Sequence, residues 1–186
     1  MLGRVLRNGA VLLVGLGVTA ACGGSSDRPG EISMSDVQPC RLLSAPELKE
    51  LPAISGPHLV EDLVDVGGLE GSTCKYPVAF GDDPAGADNT VEINTVTNHG
   101  VEWQVDGPYE HRTVEEVDDI RGFRTIRVWR GDGARQDSDA CTLYLDVAEK
   151  QALRVHVGES DGANDPATCD TAREFADRAL NGLQEQ

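Results

Sequence analysis

Ala140-Cys141-Thr142-Leu143-Tyr144-Leu145-Asp146-Val147 decides the fold class, together with Gln151-Ala152-Leu153-Arg154-Val155-His156-Val157 just after it. In both runs apolar residues recur at every second position, the period of a strand with one buried face. Ala148-Glu149-Lys150 joins them, a connection short enough for a hairpin. Leu143, Leu145 and Val147 then face the same way as Leu153, Val155 and Val157. His156 falls on the other face of its strand.

Strand signals continue upstream. Thr90 to Thr97 alternates cleanly, with Val91, Ile93 and Thr95 on one face. From Glu70 to Ala79, Cys74, Tyr76 and Val78 alternate with Thr73, Lys75 and Pro77. Pro77 has no N–H to donate and marks an edge or a strand end. Gly122 to Arg130 reads as a strand with Ile126 and Val128 facing in and Arg124 and Arg130 facing out. Thr113 to Val117 is a shorter candidate. Val101, Trp103 and Val105 alternate weakly until Gly107-Pro108 ends the run, and residues 53 to 68 are expected to be a loop with a short extended segment.

Two helices frame these strands. Ser44-Ala45-Pro46-Glu47 carries a capping box with proline in the first turn, and Pro52 keeps the helix short. Near the C-terminus, Asp165-Pro166 supplies an N-cap and a first-turn proline. Beyond it Cys169, Ala172, Ala176, Ala179, Leu180 and Leu183 share one helical face. The expected fold is α+β: a mostly antiparallel sheet, a short N-terminal helix and a packed C-terminal helix.

The first residues say where such a domain would reside. Arg4 and Arg7 precede the apolar run Val11 to Val18, and Ala20-Ala21-Cys22 follows. A charged start, a short apolar stretch and a small-residue cleavage site describe a secretory signal. The apolar stretch falls well short of the roughly 20 residues that a spanning helix needs. Its end resembles a bacterial lipobox, in which Cys22 would be lipidated and become the first residue of the mature chain. Thr19 stands where lipoboxes usually carry leucine. The expected divisions are a signal peptide at 1–21, a flexible Gly/Ser tether at 22–38 and a globular domain at 39–186.

Charge narrows the partners. The formal net charge is −16, and removing residues 1–21 takes away two arginines and no acid, giving about −18. Such a surface repels nucleic acid and bare anionic lipid, so nucleic acid is not an expected partner. A lipid on Cys22 would have to hold the protein at the extracytoplasmic face of the cell membrane. Aromatic residues make up 4% of the chain, too few for a stacking platform for sugars or bases.

With Cys22 assigned to the anchor, Cys40, Cys74, Cys141 and Cys169 remain, an even number in an oxidising compartment. Three pairings exist. Cys40 with Cys74 and Cys141 with Cys169 close the shorter loops and are preferred. Zinc is the competing reading, but no close C-x-x-C pair is present.

These features together resemble a known family. The lipobox, the Gly/Ser tether, Pro39-Cys40-x-Leu42-Leu43, Cys74-x-Tyr76, Ala140-Cys141 opening a hairpin and Cys169-x-x-Ala172 in a terminal helix are similar to the actinobacterial lipoproteins of the domain-of-unknown-function 3558 family. The resemblance covers about residues 20 to 184, with Tyr76 where members often carry tryptophan. It implies export, an anchor on the outer face of the membrane and structural disulfides. It supplies no activity.

Candidate chemistry is sparse. His58, His99, His111 and His156 form no H-E-x-x-H or H-x-H pair, and no G-x-S-x-G elbow occurs. Asp82, Asp83 and Asp88, then Asp132, Asp137 and Asp139, then Asp161, Asn164 and Asp165 make acidic loops of the kind calcium favours, but without the EF-hand spacing. They read as solvated loops, and no metal or other cofactor is expected. Arg130-Gly131-Asp132 reads as a chance tripeptide before a turn. Trp103 and Trp129 are the candidate pocket-lining residues. The expected function is a non-enzymatic binding or interaction module at the cell envelope, facing an envelope protein or an apolar ligand. A carboxylate-based hydrolase and a structural accessory subunit are the alternatives.

Overall fold

A computed structural model describes residues 28–53, 55–60, 68–79, 89–107, 112–130, 140–158 and 167–185. The expected loop acids, Asp165-Pro166, His111 and residues 1–27 lie outside the described residues.

Seven strands form one antiparallel sheet: β1 (His58–Val60), β2 (Gly71–Pro77), β3 (Thr90–Val96), β4 (Arg112–Ile120), β5 (Phe123–Arg130), β6 (Cys141–Ala148) and β7 (Gln151–Gly158). Their spatial order is β1-β2-β3-β7-β6-β5-β4. The sheet is therefore two meanders, β1-β2-β3 and β4-β5-β6-β7, joined where β3 pairs with β7. The β4–β5 and β6–β7 connections are tight turns, in which Arg121, Gly122 and Lys150 have positive φ. Three helices accompany the sheet: α1 (Ala45–Leu48), α2 (Glu102–Asp106) and α3 (Ala167–Gln184). The α+β architecture expected from the sequence is present.

One face of the sheet is closed by α3. Alternation sends Tyr76, Ile93, Leu145, Leu153 and Val155 to this side, all fully buried. Ala172, Ala176 and Ala179 let the helix approach closely, while Phe175 and Leu180 fill the space between. The Phe175 ring sits 5.7 Å from that of Tyr76. The Tyr76 hydroxyl donates to the Pro39 carbonyl at 3.2 Å, so this buried phenol has its partner. Burial pushes its pKa up.

Two disulfides hold the ends of this layer, Cys40–Cys74 and Cys141–Cys169, each with Cα atoms 5.1 Å apart. They are the pair that the shorter loops favoured. Each removes loop freedom worth about 3 to 4 kcal/mol from the unfolded chain.

Several sequence expectations need correction. Arg124 shares parity with Ile126 and Val128, so it stands on the same face as they do; it escapes burial by pairing with Glu102 and Glu116. Val101, Trp103 and Val105 are not extended, because Gln104 and Val105 bond back to the Val101 carbonyl and make α2. The weak Thr113 to Val117 signal belongs to a nine-residue edge strand, whose acids Glu115, Glu116, Asp118 and Asp119 suit an edge in contact with water. Residues 28–38, read as tether, pack on the domain. The β5–β6 ladder stops at Thr125↔Leu145, which leaves the Val147 carbonyl free to accept the Ile32 N–H at 2.9 Å. Met34 is 1% exposed in the core, and its N–H donates to Gln151 Oε1.

Gly182 lies where α3 passes the backbone at Leu42. A Cβ there would sit 2.1 Å from the Leu42 carbonyl oxygen. Alanine normally stabilises a helix interior by about 1 kcal/mol over glycine. Here Gly182→Ala is expected to destabilise instead, by about 1 to 3 kcal/mol, from overpacking. Urea denaturation checks this, with Gly30→Ala, where a Cβ meets nothing within 4 Å, as the neutral control.

Candidate functional site

The outer face of the sheet, away from α3, carries two features. The first is a polar ladder across the central strands. In register, Lys75, Glu92, His156 and Thr142 stand side by side on β2, β3, β7 and β6. Thr73, Asn94, Arg154 and Tyr144 form the next row.

The ladder is densely bonded. Lys75 Nζ is 2.8 Å from Glu92 Oε1, and Arg154 Nη1 is 3.4 Å from Glu92 Oε2. The same Arg154 nitrogen donates to Asn94 Oδ1, and Asn94 Nδ2 donates to Thr73 Oγ1 at 2.6 Å. Thr142 Oγ1 and His156 Nδ1 share a hydrogen bond of 2.8 Å. Arg154 is 6% exposed, so its charge depends on these partners.

Burial pushes the His156 pKa down to about 4, helped by the nearby Arg154 charge and opposed by Glu92. The ring is neutral at pH 7. Burial raises Glu92, but its hydrogen bond to Lys75 and the charges of Arg154 and Lys75 outweigh that and hold the carboxyl below its usual range.

The second feature is a cleft of about 590 Å³ at the β6–β7 turn end of the same face. The volume is that of a site for one small molecule. Its wall is the segment from Asn98 to Gly107, which leaves β3 and forms α2. The His99 and Trp103 rings stack with centroids 3.9 Å apart and planes 8° from parallel. Trp103 packs with Val96, Val101, Ile126, Val128, Tyr144 and Ala152, the outer apolar cluster.

Three details fix this wall. Asn98 accepts the Glu70 N–H and donates to the Gly68 carbonyl, pinning the chain before β2. Gly100 sits against the backbone of Lys150, where an added Cβ would make ordinary van der Waals contact at 3.4 Å. Gly107 turns so closely under Trp103 that a Cβ would lie 2.0 Å from the Trp103 carbonyl oxygen. Opposite, Arg28 and the buried Asp146 form an ion pair with Nε 3.0 Å from Oδ2. Asp106, Glu149 and Lys150 complete the rim.

The two tryptophans are thus separated. Trp103 lines the cleft on the outer face. Trp129 is on the helix-side face of β5, with the Arg127 guanidinium 5.1 Å from its ring centre. His58 is exposed on β1. Among the described residues, no three His, Cys, Asp or Glu side chains converge as a metal site, and no helix is long and apolar enough to cross a membrane. The sequence reading missed His99, Arg154 and Glu92. For Glu92 and Arg154 the signal was opposite charges at the outward positions of alternating strands, but strand order is needed to bring them together; His99 lies in the connection between β3 and α2.

A family model described as protein of unknown function (DUF3558) matches residues 17–181. The chain belongs to that family. The match spans both features of the outer face and all four disulfide cysteines. No curated protein and no solved structure matches the chain.

The ladder makes stability depend on pH. Unfolded His156 takes up its proton near pH 6.5, but the folded ring does so only near 4. The neutral ring therefore contributes fully above pH 6.5, and the contribution is lost as pH falls from 6.5 to 4. Glu92, depressed when folded, loses its contribution in the same direction at lower pH. His156→Gln is expected to remove on the order of 3 kcal/mol of that pH-dependent loss. Melting temperatures of both chains between pH 7.5 and 4 check this; equal slopes between 6.5 and 5 would contradict it.

Proposed function

We propose that the protein is an exported lipoprotein, anchored through acyl groups such as palmitate on Cys22, that binds an apolar ligand at the cell envelope without transforming it. The observation that carries the reading is the cleft of His99 and Trp103 with Arg28 at its rim. A mostly apolar wall with a few polar groups around it is the usual construction of a small-molecule site. Arg28 is six residues from Cys22, so the cleft would lie within about 22 Å of the anchored residue even with the chain fully extended. The charged start, apolar run and small residues before Cys22 support export. Disulfides support an oxidising compartment.

An accessory-subunit role has less to support it. Large exposed apolar side chains among the described residues are Leu59 on β1 and Val105 on α2, single positions rather than a contiguous patch.

Two measurements on the full chain test the proposal. Intact-mass analysis of the membrane fraction is expected to show a chain starting at Cys22 with added acyl mass, and Cys22→Ser is expected to release the protein from that fraction. Nile red, a neutral apolar dye, is expected to brighten on binding the protein. Trp103→Ala is expected to weaken that binding about tenfold, while Trp129→Phe leaves it unchanged; a tenfold loss corresponds to about 1.4 kcal/mol of contact. An unmodified Cys22 would remove the anchor from the account, and dye binding indifferent to Trp103 would remove the cleft.

A further inference from the structure

We infer that the ligand of the His99–Trp103 cleft is a single-tailed amphiphile carrying a positive charge, its tail against the apolar wall and its cationic group at the Asp106–Glu149 rim. The inference rests on the binding reading above and adds the ligand's chemical class. It comes from the charges that remain after the rim's internal pairs are taken out. Arg28 is held by Asp146 and by Glu31. Glu102 is held by Arg124. Asp106 and Glu149, both exposed, then face the cleft with Lys150, and none of the three has an ion-pair partner among the described residues. Two carboxylates against one ammonium leave the mouth negative.

The surroundings reinforce that sign. The whole chain carries −16, so the field at the cleft mouth concentrates cations and excludes anions. A volume of about 590 Å³ is in the range for one small molecule, which argues for a single tail. Lys150 stands beside Glu149 in the β6–β7 turn, and its positive φ of 57° fixes the backbone from which both side chains project. The acidic pair is therefore held on a tight turn and on a short helix capped by Gly107, not on a free loop.

Competition for bound Nile red separates this inference from the reading beneath it. Three probes with the same tail are used below their micelle concentrations: dodecyltrimethylammonium, dodecyl maltoside and dodecyl sulfate. Dodecyltrimethylammonium is expected to displace the dye at about fivefold lower concentration than dodecyl maltoside at low salt, and dodecyl sulfate to be weakest. The preference is expected to shrink in 0.5 M salt. The double variant D106K/E149K replaces two exposed carboxylates, so its fold is expected to persist by circular dichroism. Read as displacement relative to dodecyl maltoside on the same variant, the order of the charged probes is expected to reverse.

Equal displacement by all three probes, or an unchanged order in the double variant, would overturn the inference while leaving an apolar site in place. No Nile red binding at all would overturn the binding reading itself. Displacement seen with Cys22→Ser but not with the acylated chain would show that the protein's own acyl group fills the cleft, and would overturn the inference as well. Dye binding that weakens as protein concentration rises would point to a second copy as the occupant, with the same consequence.

Discussion

The ladder between β3 and β7 holds the molecule together. Seven register pairs run from Thr90↔Gly158 to Val96↔Ala152, joining segments that are far apart in the chain. Each strand is the last of its own meander. The helix α3 covers both sides of this seam, meeting β7, β6 and β4 of one meander and β3 of the other. The covalent links do not replace it. Cys40–Cys74 lies within the first half of the chain and Cys141–Cys169 within the second. What crosses the seam is backbone hydrogen bonding, the buried side chains Ile93 and Val155, and the Glu92–Arg154–Asn94 contacts. The N-terminal stretch helps from outside, since Ile32 and Met34 bond to Val147 and Gln151 near the β6–β7 turn.

That seam also explains why the two faces of the sheet differ. The inner face is apolar and closed, a core sealed by one helix with small residues at its contact. The outer face is mixed. Where the seam crosses it, charged and amide groups are paired to one another, an arrangement that specifies register because a one-residue slip would leave them buried without partners. Beyond the ladder the connection from β3 to β4 must cross the sheet to reach the far edge. It does so as α2, and the space between α2 and the β6–β7 turn is the cleft. The site is thus a by-product of topology: a crossing segment that covers the sheet incompletely.

The sequence revealed the fold more fully than the site. Strands whose two faces differ sharply, such as Cys141–Ala148 and Thr90–Val96, show their period directly. The capping box at Ser44 and Glu47 forms as read, with the Ser44 N–H donating to Glu47 Oε2 at 2.8 Å. Short cysteine loops gave the disulfide pairs. Other features depend on distant partners. Val101 to Val105 alternates in sequence, but its backbone bonds back to the Val101 carbonyl, ends at Gly107 and packs Trp103 on the apolar outer cluster. Ile32 and Met34 lie in a polar stretch and are held by partners remote in sequence, Ile32 by the β6 carbonyl that the β5–β6 ladder leaves unpaired and Met34 by the Gln151 side chain. Phe175 was absent from the expected helix face although it is fully buried. Of the two tryptophans read as pocket residues, one lines the cleft and the other lies across the sheet, a separation that strand parity fixes but that requires knowing which segments are strands.

Native-state hydrogen exchange, resolved by residue, tests the central claim most directly. If the β3–β7 seam makes the two meanders one cooperative unit, amides along β3 and β7 will be among the slowest in the protein and will exchange together, at the free energy of global unfolding. Amides of β2 and β3 that exchange far faster than those of β6 and β7 would contradict it, because the two halves would then be opening independently.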